Sequence, residues 1–356
     1  MVQEELLRFL QSIQLEGFNL SSSLRALNIQ KNKVFITLSV SNPTLQFKNK
    51  IKTIIENKIL DQFPDSTTEL NFLLDKNEQK STKSSINNII AIASGKGGVG
   101  KSTVASNLAI ALKNQGYNVG LIDADIYGPS IPLMFDAENE RPKSININNK
   151  SLMSPVISYG VKIMSIGFFS NPNDAIIFRG PMATKALKQM IDHTHWDDLD
   201  YLLIDLPPGT GDIHLSLVQS LSLTGAIVVT TPQPVSLIDA KKAISMFKKT
   251  EINVPVVGLV ENMSCLIIDN QKHYIFGKDG GMALSQNEGV PLLVQIPLEQ
   301  TIREAGDVGR PAALQNSIVS KVFDNLAEKI KDIIDKRNVE LPPTKKVKIT
   351  HNRGCN

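Results

Sequence analysis

Cysteine and tryptophan are nearly missing from this 356-residue chain: two thiols, Cys265 and Cys355, and one indole. Two cysteines are too few for a disulfide framework and suit a reducing compartment. Net charge is also slight, and a formal +3 is too small to imply nucleic-acid binding by itself. No apolar run is long enough to cross a bilayer. The first ten residues place two glutamates where a secretory signal would have its apolar core. The expectation is a cytoplasmic protein with no membrane and no nucleic-acid partner. The length suits one large α/β domain with a small extra module.

What is present divides in two. Residues 1–73 form a small α+β pattern. Leu6, Leu7, Phe9, Leu10 and Ile13 give a helical apolar face, and Val34, Ile36, Leu38 and Val40 alternate as a half-buried strand should. Phe47, Ile51, Ile54, Ile55, Ile59 and Leu60 then mark a second helix. Residues 74–88 are polar and rich in Ser and Lys, the composition of a linker. From 89 to 337 strands and helices alternate, which argues an α/β fold: a mostly parallel sheet with helices on both faces. The expected strands are 89–94, 118–123, 161–166, 200–205, 225–231, 254–261 and 292–296. The expected helices are 103–114, 183–193, 213–221, 236–249, 280–288 and 316–336. Residues 136–155 read as a long loop or a small hairpin. The apolar stripe of the last helix is explained by packing against the sheet, and residues 338–356 read as a polar, solvated tail.

The run Gly95-Lys96-Gly97-Gly98-Val99-Gly100-Lys101-Ser102-Thr103 lies between an apolar strand and a helix. Such a loop aims backbone N–H groups at a polyphosphate, and the helix N-terminus adds positive potential. Lys101 can reach the β/γ-phosphates and the Ser102 hydroxyl can hold Mg²⁺. Gly95, Gly97 and Gly100 also satisfy G-x-G-x-x-G, with Asp123 placed as a ribose acid. That dinucleotide reading leaves the Lys-Ser pair without a use, so ATP with Mg²⁺ is the expected ligand pair.

Tyr201–Ile204 is an apolar strand ending in Asp205, followed by a Pro-Pro-Gly turn. A carboxylate there can orient the water shell of Mg²⁺, or it can serve as a helix cap. Asp123 and Asp125 end the strand after the loop's helix and point to opposite sides. Asp123 is assigned to Mg²⁺ water or local structure, and Asp125 to positioning the attacking water. Lys96 is unneeded by an ordinary phosphate loop. It either faces solvent or reaches the nucleotide of a facing subunit, where it would neutralise charge on the transferring phosphoryl group. On the second reading hydrolysis requires a homodimer.

Together these segments resemble the deviant-Walker-A ATPases, the SIMIBI-type P-loop group that contains MinD and ParA. Within it the chain is most similar to the Mrp (ApbC-type) iron–sulfur cluster carriers. The resemblance rests on SGKGGVGKST (94–103), LIDADIYGPSIP (121–132), FRGPM (178–182), LLIDLPPGTGD (202–212), TTPQPVSLIDA (230–240), VENMS (260–264), HYIFGKDGG (273–281) and IPLEQTIREAGDVGRP (296–311). It implies that Gly95–Thr103 cradle ATP, that Lys96 reaches the partner subunit, and that Asn262 contacts adenine with Pro297 beside the base. It implies slow ATP hydrolysis coupled to holding an iron–sulfur cluster between two subunits and passing it to apoproteins. The family's C-x-x-C pair after the ENMS turn is replaced here by Ile268 and Gln271, which leaves Cys265 as the one nearby thiol for a cluster. The alternative from the same group is a MinD/ParA-like positioning switch.

Overall fold

The structure is a computed structural model that describes residues 6–7, 9–10, 20–30, 33–40, 45–64, 66–74, 85–126, 128–147, 150–169, 180–211, 214–215, 218 and 221–342. Most of the expected linker, the residues of the 213–221 helix other than 214–215, 218 and 221, Cys355 and the tail beyond 342 lie outside that set. The main division into compact units falls between residues 82 and 83.

In the first unit, strands β1 (Leu24–Gln30), β2 (Lys33–Val40) and β3 (Thr67–Leu74) form a sheet in that order, and helix α1 (Leu45–Gln62) connects the last two. β1 and β2 are antiparallel, whereas β2 and β3 are parallel, as a helical crossover requires. Val34, Ile36 and Leu38 of β2 are fully buried against Ile51, Ile55 and Ile59 of α1, so the alternating and helical patterns meet in one core. Strands β1 and β3 carry no clear alternation in sequence, because their polar residues blur the period.

The second unit holds β4 (Ile86–Ser94), α2 (Lys101–Asn114), β5 (Val119–Asp123), a short α3 (Ile131–Met134) and the hairpin β6 (Lys143–Ile147) and β7 (Lys150–Ser154). It continues with β8 (Val156–Ser158), β9 (Val161–Ser165), α4 (Gly180–Asp192), β10 (Leu199–Asp205), β11 (Gly225–Thr230), α5 (Pro234–Lys248) and β12 (Val256–Glu261). The hairpin β13 (Leu266–Ile268) and β14 (Gln271–His273), then α6 (Gly280–Glu288), β15 (Leu292–Gln295), α7 (Gln300–Asp307) and α8 (Ile318–Glu340) complete it.

The large sheet has the order β15-β12-β11-β4-β10-β5-β9-β8. Pairings from β15 through β9 are all parallel. Ala91, Ala93, Leu202, Ile204, Ala226 and Val228 face a core shared with Leu187 of α4 and Ala243 and Phe247 of α5. On other contacts, α2 packs with α8 and with β10. Strands buried on both sides explain the near-continuous apolar runs. The chain leaves β4 for β5, and β10 later fills the place between them. β11 then pairs with the opposite side of β4. This reversal puts a crevice at the carboxyl ends of β4 and β10, where open α/β sheets bind ligands.

Candidate functional site

Loop 95–100 spans that crevice. Gly98 and Gly100 both have φ of +80°, a conformation costly for residues with a Cβ. Gly95 is required for a different reason: a Cβ there would lie 2.1 Å from the Asp239 carbonyl carbon, because α5 presses its backbone on the loop. Gly100 precedes α2 and provides no side-chain cap, so the first amides of that helix are left for an anion.

The loop's lysine and serine converge on one acid. Lys101 Nζ donates to Asp205 Oδ1 at 2.6 Å, and Ser102 Oγ donates to Asp205 Oδ2 at 2.6 Å. Asp205 is wholly buried and Lys101 is 6% exposed. Parallel pairing of β10 with β4 brings the strand end to the loop. Asp123, opposite Asp205 across the β5–β10 pair, has both oxygens engaged by its own fold. Oδ1 accepts from the Asp125 N–H, while Oδ2 accepts from the Ile131 N–H and the Ser165 hydroxyl. Burial, and then the charge of Asp205, push its carboxyl up to about 7. Of the two roles read for Asp123, these bonds favour local structure: it ties Asp125 and Ile131 to Ser165 of β9.

A cleft of about 210 Å³ is lined by Ser94, Gly97–Thr103, Asp125, Ser130, Met134 and Pro208. Asp125 is thus on the cleft wall facing the loop. The Pro207-Pro208-Gly209 turn is tied to β4, with the Gly209 N–H donating to the Ser94 carbonyl at 2.9 Å. Lys96 is half-buried and outside the cleft lining, and its side chain pairs with no carboxylate among the described residues. Sequence reasoning missed His214. Its buried imidazole donates from Nε2 to the Pro207 carbonyl, and burial holds its pKa below the ordinary histidine value. No spacing rule marks a histidine in that position.

Asn262 and Pro297 do not line the cleft. Asn262 is buried beneath the loop, where its side-chain Nδ2 donates to the Val99 carbonyl at 2.9 Å. Pro297 lies close by, because the 296–298 segment is bonded to the 261–265 turn: Ile296 N–H to the Glu261 carbonyl, Leu298 N–H to the Cys265 carbonyl. Glu261, also missed, accepts from the Gly281 N–H at the start of α6 and from Gln295 Nε2.

Cys265 is 7% exposed. The following hairpin pairs Ile268 with Gln271 across a two-residue turn in which Asp269 and Asn270 have φ of 49° and 61°. The two positions where the resemblance expects thiolates therefore face each other at an exposed tip, without sulfur. Among the described residues no group of three or more His, Cys, Asp and Glu could hold a metal. None of the described helices is long and apolar enough to cross a membrane.

The family model for ParA, described as NUBPL iron-transfer P-loop NTPase, matches residues 85–331. The chain belongs to this family. Within it, the iron-sulfur cluster carrier protein of Escherichia coli (strain K12) is 50% identical over 249 residues, covering 69% of this chain and 66% of that protein. The match thus spans just under two thirds of that relative's length. Among solved structures, a nucleotide-binding protein of Archaeoglobus fulgidus in complex with ADP aligns with a TM-score of 0.57 at 34% identity, covering 66% of this chain and 90% of that one. The cell division ATPase MinD of Pyrococcus furiosus aligns with a TM-score of 0.51 at 26% identity, covering 69% and 99%. The mostly parallel P-loop fold expected from the motifs is the fold of this NTPase family.

Proposed function

We propose that this family member is a slow, homodimeric ATPase that serves iron–sulfur cluster delivery to apoproteins. The observation that carries the ATPase reading is the convergence of Lys101 and Ser102 on Asp205 at the mouth of the glycine loop. Hard oxygen donors from Ser102 and Asp205 fit Mg²⁺, which when bound supplies charge neutralisation to the β- and γ-phosphates. Gly95–Thr103 cradle the phosphates. Asp125, on the cleft wall, orients the attacking water. Lys96, which does not line its own cleft, reaches the phosphoryl group held by the second copy.

The delivery reading is supported by the 50% identity to a protein named as a cluster carrier, against 26% to MinD. The cluster is cargo, and the residues at the hairpin tip do not fit it. Ile268 and Gln271 supply no thiolate, and Cys265 is buried. Fe–S clusters need mostly thiolate ligands. Ile268 and Gln271 therefore hold no cluster at this hairpin in the way the resemblance expects. Anaerobic reconstitution with iron and sulfide, followed by iron counting, tests this. Wild type and Cys265→Ser should retain equally little iron while wild type still hydrolyses ATP. Iron held by wild type and lost in Cys265→Ser would restore Cys265 as a ligand. ATP-dependent sedimentation with liposomes or DNA would favour the positioning-switch alternative.

A further inference from the structure

The bond from Asn262 to the phosphate loop has a consequence for nucleotide binding that is separate from any contact with the base. We infer that Asn262 is a positioning residue for the loop, and that its amide sets affinity for the polyphosphate. This deepens the ATPase reading and rests on it.

Val99 is the middle residue of the loop's second half, between Gly98 and Gly100, both at φ +80°. A loop in that conformation has no helix or strand ladder to hold it, so its carbonyls need partners from elsewhere. The Val99 carbonyl finds one in Asn262 Nδ2 at 2.9 Å. Contact is close enough that a Cβ on Gly100 would fall 2.2 Å from the same nitrogen. Gly100 is therefore glycine for two reasons, its φ and the space Asn262 occupies.

Asn262 is itself rigidly held. Its backbone N–H donates to the Thr230 carbonyl at 2.8 Å, continuing the β11–β12 ladder past its end. On one side Glu261 is fixed by α6 and β15. On the other, Ser264 is bonded through its N–H and hydroxyl to the Ile296 carbonyl. A side chain mounted on such a support can fix the loop's register before ligand arrives, which lowers the ordering cost of binding. Asn262 is 7% exposed and lines no part of the cleft, so it acts through the loop.

Two roles for one amide predict different ligand profiles. A residue that reads adenine affects ATP and leaves a bare polyphosphate alone. A residue that positions the loop affects both alike. The probe is inorganic tripolyphosphate with Mg²⁺, compared with ATP and GTP by calorimetry on the full chain. Asn262→Asp replaces the donor with an oxygen facing the Val99 carbonyl. It should weaken ATP and tripolyphosphate by the same factor, about tenfold, the scale of one lost buried hydrogen bond, and leave the ATP-to-GTP ratio unchanged. Should the aspartate variant fail to fold, Asn262→Ala removes the donor without adding an anion and gives the same comparison. Unchanged tripolyphosphate affinity with a lost preference for ATP would overturn the inference. Wild type that binds neither ligand would instead remove the ATPase reading on which it stands.

Discussion

Lys101 is directed inward, onto Asp205 of its own chain, whereas Lys96 lies outside the cleft its loop builds. The two substitutions should separate accordingly. Lys101→Ala leaves Asp205 buried without its cation and removes the phosphate contact. Its ATP affinity should fall at least about a hundredfold, measured by calorimetry. Lys96→Ala should bind ATP as wild type does and lose about two to three orders of magnitude in turnover. Full turnover in that variant returns Lys96 to the solvent-facing reading. Asp123 makes a pH prediction. An acid whose native pKa is raised to about 7, from an ordinary 3.8, holds a proton in the folded state that the unfolded chain has released. Its contribution to stability is thus full below about 4 and is lost as pH rises towards 7. Buried neutral His214 acts in the opposite direction, favouring the fold as pH rises through its ordinary range. Comparing Asp123→Asn with wild type isolates the acid. In urea titrations from pH 5 to 8 the gap should move in favour of the variant by more than about 1 kcal/mol. A gap independent of pH would mean the carboxyl is ionised throughout.

At the scale of the element, Gly95 shows how closely loop and helix are fitted. A methyl there would enter the backbone of α5 at Asp239 and Ala240, and backbone cannot swing aside as a long side chain can. Gly95→Ala should cost about 1–3 kcal/mol in chemical denaturation and weaken ATP together with it. A variant as stable as wild type would show that α5 is free to shift. The same contact shows what the sequence could and could not disclose. Strand β4, the loop and α2 were legible because a local period and a local motif coincide there. All seven strands expected in the large sheet occur, most within two residues of the expected ends. The hairpin β13–β14 and helix α7 escaped notice because three-residue strands carry no period and α7 is mostly polar. Residues 136–155 read in sequence as either a long loop or a hairpin, and β6–β7 supply the hairpin. Glu261, His214 and the amide of Asn262 were illegible in their roles for a different reason. Glu261 and Asn262 act on groups brought near by the sheet order, such as Val99, which is 163 residues from Asn262, whereas His214 bonds a carbonyl only seven residues away that no motif marks.

At the scale of the whole molecule the question is whether each site is complete in one copy. One chain supplies the cradle, Ser102, Asp205 and a cleft wall carrying Asp125, but Lys96, the cation proposed for the transferring phosphoryl group, does not line that cleft. Were Lys96 to act across a two-fold axis, each site would combine Asp125 from one chain with Lys96 from the other. Two inactive variants then complement each other. Lys96→Ala keeps Asp125, and Asp125→Asn keeps Lys96, so a heterodimer of the two contains one site with both groups and one with neither. Random pairing makes half of the dimers mixed, and about a quarter of all sites should be intact, provided the two variants dimerise as wild type does. An equimolar mixture should therefore recover about a quarter of wild-type turnover, although neither protein alone turns over appreciably. If Lys96 works within its own chain, no pairing creates an intact site and the mixture stays at the average of its two parts. The single-copy and two-copy mechanisms thus differ in sign of outcome, and an ordinary phosphate-release assay on three samples separates them.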